Sequence, residues 1–193
     1  IVAPGNSGLD RVIVFGVGEP GKLTELNVEF LGGAIAGALG GAKAANASVA
    51  ADIAGATKLD DGDVAALIAS GMRLRTYAFN RHKTGKDDKQ APHLKSATML
   101  TGALAPARKA FRSLDAIATG VHLARDLVNE PANILYPEEF AARAKELTKL
   151  GVQVEVLTEK QMARLKMGSL LGVGQGSERE SRLVVMRWNG GAK

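Results

Sequence analysis

Between Leu23 and Gly41 the chain carries the run FLGGAIAGALGG, apolar on nearly every side and dominated by residues with little or no side chain. Such a run reads as a helix, and a helix without a polar face has to be packed rather than solvated. Its glycines weaken intrinsic helicity, so neighbouring elements must hold it at close backbone approach. The composition agrees: aromatic residues make up only 4% of the chain and glycines number 23, which leaves Ala, Val, Leu and Ile to build the core.

Around that helix the sequence alternates strand-like and helix-like segments. RVIVFGVG, from Arg11 to Gly18, fits a buried strand. Ala44 to Ile53 is a second strand, and Asp60-Asp61-Gly62-Asp63 supplies N-cap chemistry for a helix through Val64, Leu67, Ile68 and Met72. Arg81 to Ala97 turns polar and reads as an exposed loop or hairpin, with another strand from Thr98 to Ala103. Pro106 opens a long helix in which Leu114, Ile117, Val121, Ala124 and Val128 recur at helical spacing until Pro131. Pro137 takes the first position of the next helix, with Glu138 and Glu139 at the positive end of its dipole, an apolar stripe of Phe140, Ala144 and Leu147, and Gly151 as terminator. Val152, Val154 and Val156 alternate as a strand, Thr158 caps a short helix through Met162 and Leu165, and RLVVMRW, from Arg182 to Trp188, is the last strand. This rhythm predicts an α/β fold with a largely parallel sheet, arranged as two α/β units joined by the long helix.

Local chemistry is sparse. Gly16-Val17-Gly18-Glu19-Pro20-Gly21 matches G-x-G-x-x-G after a strand, but Pro20 removes an amide donor, the helix starts only after Lys22, and no acidic residue closes a second strand at the required distance. A plain strand-to-helix turn is the favoured reading over nucleotide binding. His82, His93 and His122 are scattered, and neither H-E-x-x-H nor any Cys/His ligand spacing occurs. Gly172-Val173-Gly174-Gln175-Gly176-Ser177 suits either an anion nest or a tight turn, and the turn is favoured. Ser169 and Ser177 lack a nucleophile-elbow motif. Asn46-Ala47-Ser48 matches the glycosylation triplet but carries little weight without an export signal.

A net charge of +5 and a pI near 9.6 permit attraction to nucleic acid. The densest basic group is Arg73, Arg75, Arg81, His82, Lys83, Lys86 and Lys89; Asp87 and Asp88 interrupt it and only Tyr77 and Phe79 interleave, so a solvated loop is the favoured reading. There is no cysteine, hence no disulfide framework, a pattern compatible with the cytoplasm. No apolar run approaches a membrane span and the start lacks a signal-peptide pattern. A first residue of Ile1 rather than Met is what removed or absent upstream sequence would leave, and processing would leave the same.

Leu123-Ala124-Arg125-Asp126-Leu127-Val128-Asn129-Glu130-Pro131-Ala132-Asn133, followed by Tyr136-Pro137-Glu138-Glu139-Phe140-Ala141, resembles the entry to the catalytic domain of the leucyl aminopeptidase family. Lys166 to Ser177, reading KMGSLLGVGQGS, and the RLVVMRW strand are similar to the family segments that follow. Arg75 to Thr84, reading RTYAFNRHKT, resembles the end of the family's N-terminal domain. Two departures stand out: Tyr136 lies where the family more often has a helix-capping hydroxyl residue, and His82 where an aromatic is usual.

The resemblance implies a cytoplasmic homohexameric metallopeptidase that releases N-terminal residues from peptides, with two divalent ions, manganese or zinc, held by lysine and carboxylates. It divides the chain into a partial macro-like N-terminal domain over residues 1–105, a connecting helix over 106–128 and the first part of the catalytic domain over 129–193. The family's metal and catalytic segments, G-K-G-x-x-F-D-[ST]-G-G and N-[AT]-[DE]-G-R, do not occur in this sequence. Lys193 is not the metal lysine, since it follows Asn189-Gly190-Gly191-Ala192 with no strand closely before it. No residue is therefore assigned a catalytic, cofactor-binding or metal-ligating role, and the chain alone is expected to be inactive. An alternative implied by the same resemblance is a non-catalytic module binding ADP-ribose through the macro-like fold, or DNA.

Overall fold

The computed structural model describes residues 8–19, 21–51, 53, 58–85 and 94–191. The chain divides into two compact units, Ile1–Asp126 and Leu127–Lys193.

The first unit contains α1 (Glu25–Gly41), β1 (Asn46–Ala50), α2 (Asp61–Arg75), β2 (Ser96–Leu100) and most of α3 (Leu104–Asn129). β1 and β2 pair in parallel, with Asn46 opposite Ser96 and Ala50 opposite Leu100. Helix α1 starts where Thr24 accepts a hydrogen bond from the Asn27 amide at 3.3 Å and the Asn27 side chain accepts one from the Thr24 amide at 3.1 Å. This reciprocal cap satisfies two otherwise orphaned N–H groups. Thr24→Ala should cost about 1 kcal/mol, read as a lower urea midpoint.

The small residues of α1 act as predicted, but on one face only. A Cβ on Gly32 would lie 2.1 Å from the Ile68 carbonyl oxygen, and one on Gly71 would lie 1.8 Å from that of Glu29. Backbone therefore meets backbone where α1 crosses α2, and Val28, Ile35, Val64, Ile68 and Met72 close the core around that crossing. On the other side Leu26 and Phe30 remain exposed, so the expectation of a helix packed on nearly every side is corrected. α2 covers a single face, and the Gly and Ala residues opposite present little apolar area to water.

Three further expectations change. Arg11–Gly18 forms no strand beyond an isolated bridge residue at Arg11. β1 and β2 make a two-stranded sheet, so the β-branched run has no ladder to join among the described residues, although Phe15 still packs on the core. Asp60 occupies the N-cap of α2 in extended conformation without a side-chain cap bond; Asp61 and Asp63 instead place charge in the first turn. The polar loop ends sooner than Ala97, because β2 already begins at Ser96, and residues 86–93 lie outside the described set.

Helix α3 forms as expected but starts at Leu104, two residues before Pro106, and runs to Asn129. Its packed face differs from the apolar stripe: Ile117, Val121 and Val128 are exposed, whereas Ala107 and Ala118 are buried. Polar partners on the opposite face explain this, as described below.

The second unit contains α4 (Pro137–Glu146), a 3₁₀ turn (Leu147–Leu150), β3 (Gln153–Thr158), α5 (Glu159–Arg164), α6 (Gly168–Gly174) and β4 (Arg182–Arg187). Pro137 holds the first position of α4, and Gly151 leaves the 3₁₀ turn at φ 86°, a conformation that favours glycine. Ala141 and Ala144 form the buried face of α4, while Phe140 from the expected stripe is exposed. Thr158 caps α5 with the same reciprocal geometry as Thr24, its side chain paired with Gln161.

β3 and β4 pair antiparallel, with Gln153 opposite Arg187 and Thr158 opposite Arg182. The mixed α/β class therefore holds with a parallel pair in the first unit, while the two strands of the second run in opposite directions. Two short helices between them, rather than one long crossover helix, let the chain re-enter beside β3 reversed.

Candidate functional site

Two polar assemblies stand out, each on a segment that carries the family resemblance. The first lies along α3. Asp115, Thr119, His122 and Asp126 follow one another at intervals of four, three and four, which puts them on one helix face. Arg73, near the end of α2, forms an ion pair with Asp115 and donates to the Thr119 hydroxyl at 2.9 Å. Two turns further along α3, the Tyr77 hydroxyl donates to Asp126 Oδ1 at 2.8 Å and Arg81 Nη2 donates to Asp126 Oδ2 at 3.1 Å. The Arg125 guanidinium lies 3.9 Å above the Tyr77 ring and donates to the Leu74 carbonyl at 3.3 Å. The His122 ring sits 5.2 Å from that of Tyr77.

This arrangement fastens a helix; it is not laid out for reaction. Arg73 and Arg81 meet carboxylates, and Arg125 meets a ring face and a backbone carbonyl, all within the same unit. Tyr77→Phe should cost about 1–1.5 kcal/mol, because the hydroxyl bonds a charged acceptor in a half-buried position, and a thermal melt should show the loss.

The second assembly lies in the second unit, at the Asn129–Asn133 segment. The Glu130 side chain is only 2% exposed and pairs with Arg143 Nη1 at 3.2 Å. Arg143 Nε donates to Glu139 at 2.9 Å, one turn back on α4. Hydrogen bonding to Glu139 and then to Glu130 holds the guanidinium above its ordinary pKa. A raised cation pKa contributes stability at all pH below its ordinary value and loses it only in strong alkali, so the guanidinium stays charged throughout the working range.

The sequence candidates fall as follows. The glycine match does not open a helix, since α1 starts only at Glu25, and among the described residues nothing apart from chain neighbours lies within 4 Å of where a Cβ on Gly16, Gly18 or Gly21 would stand. Pro20 lies outside the described residues. Of the basic group, Arg73 and Arg81 are committed to Asp115 and Asp126, and Lys86 and Lys89 lie outside the described set, as does His93. His82 packs its ring 5.6 Å from Phe79. Gly172 and Gly174 end α6, and the Ser177 amide donates to the Gly174 carbonyl at 2.9 Å, which is the turn reading. Asn46 lies in β1, where its side chain accepts from the Ser96 hydroxyl. Tyr136 provides no side-chain cap; its ring instead lies 4.2 Å beneath the Arg179 guanidinium. Among the described residues, no three of His, Asp and Glu gather as a metal-ligating group, so no residue here is assigned to an ion. No described helix is long and apolar enough to cross a membrane.

Residues 1–86 match the model of the cytosol aminopeptidase family's N-terminal domain and residues 122–193 that of its catalytic domain, so only residues 87–121 are left between them. The chain belongs to the cytosol aminopeptidase family. A probable cytosol aminopeptidase of Sinorhizobium fredii is 50% identical over 99% of this chain, and one of Rhodopseudomonas palustris 48% identical over all of it. The chain spans 38% of the length of these relatives. Among solved structures, the bottromycin maturation enzyme BotP in complex with Mn aligns over 90% of this chain and 35% of its own, with TM-score 0.75 and 26% identity. A tomato leucine aminopeptidase variant aligns over 85% of this chain and 33% of its own, with TM-score 0.73 and 27% identity. The family membership favours the aminopeptidase reading over the ADP-ribose or DNA-binding alternative, and among the described residues Arg73 and Arg81 of the basic group are paired with carboxylates.

Proposed function

We propose that this family member is the supporting part of a metal-dependent leucyl aminopeptidase, a hydrolase that removes N-terminal residues from peptides with a free α-amine. The observation that carries the reading is the order of the two matches on one chain, N-terminal domain first and catalytic domain second, with most of α3 between them. Residues 1–105 would be a partial macro-like domain, 106–128 the connecting helix and 129–193 the start of the catalytic domain. The chain's own contribution is mechanical: paired Arg, Asp, Glu and Tyr side chains fix α3 and α4 so that a downstream centre has a rigid base.

The finer parts of the reading rest on the family resemblance and the relatives. The manganese of the BotP complex supports a divalent metal ion, while its identity as manganese or zinc and the number of two rest on the family resemblance. The relatives' designation as cytosol aminopeptidases supports a cytoplasmic enzyme, and the resemblance supports a homohexamer. The full-length protein should hydrolyse leucine p-nitroanilide only when Mn²⁺ or Zn²⁺ is supplied, and the 193-residue chain should not hydrolyse it at all. Turnover by the chain alone, or turnover by the full-length protein that survives exhaustive chelation, would overturn the proposal.

A further inference from the structure

We draw no further inference here: the strongest candidate, the open apolar cleft of the first unit between α2, β2 and the start of α3, is lined by Ala residues together with Met72, Met99, Leu104 and Phe111, and nothing in the structure shows what covers it.

Discussion

Gly71→Val should destabilise the chain by about 3 kcal/mol or more and move its urea midpoint down accordingly. The reason is what a side chain would strike. A Cβ at Gly71 meets the Glu29 carbonyl oxygen at 1.8 Å, and the reciprocal position, Gly32, meets that of Ile68 at 2.1 Å. Both obstacles are backbone atoms inside regular helices, so neither can rotate aside as a side-chain tip would. The helices must separate, and separation opens the core that Val28, Ile35, Val64 and Ile68 fill. Against this the substitution gains only the helix propensity that glycine lacks, less than about 1 kcal/mol. Gly33→Ala provides the contrast. Its new methyl would meet the Gly71 oxygen at 3.8 Å, an ordinary contact, so the propensity gain should survive and the midpoint should rise. Equal midpoints for the valine variant and the parent chain would show that α1 and α2 do not cross at these glycines.

The Gly/Ala run was readable because its message is local: small residues at helical spacing demand a close neighbour, whichever element provides it. The elements themselves were legible for similar reasons. Pro137, Thr158 and Gly151 act through the backbone within a few residues, and the structure places each at the helix start, cap or exit that its chemistry suits. Pairing is another matter. RVIVFGVG has strand propensity, but a strand exists only with a partner, and propensity names none. The antiparallel pairing of β3 with β4 depends on how two short helices redirect the chain, which the alternation of segments does not encode.

The polar assemblies show what was overlooked. On α3 the eye goes to the apolar stripe of Ile117, Val121 and Val128, yet the structure fastens the helix by Asp115, Thr119 and Asp126. Their spacing was as visible as the stripe's; what was missing was the position of Arg73, Tyr77 and Arg81, some 40 to 50 residues away in sequence. The Glu130–Arg143 pair was closer at hand, but a Glu in a Pro-containing turn gives no hint that its carboxylate is buried.

That burial makes Arg143→Met the substitution expected to cost most in the second unit, about 3 kcal/mol at neutral pH. Losing the guanidinium affects the two carboxylates unequally. Glu139 is 38% exposed and water can take over its solvation, whereas Glu130, at 2%, would lose the Arg143 guanidinium in a poorly solvated place. The pH dependence separates this from a simple loss of packing. A buried carboxylate that loses a cationic neighbour shifts towards its protonated form in the fold, so folding of the variant takes up more proton than folding of the parent and its deficit shrinks as the pH falls. The difference between the two urea midpoints should therefore narrow from pH 7 towards acid. Adding Glu130→Gln to the methionine variant should recover much of the neutral-pH loss, because an amide can stay in the site uncharged. A deficit that stays constant with pH, or a double variant no more stable than the single one, would mean that the methylene stem of Arg143, and not its charge, holds the Asn129–Asn133 segment against α4.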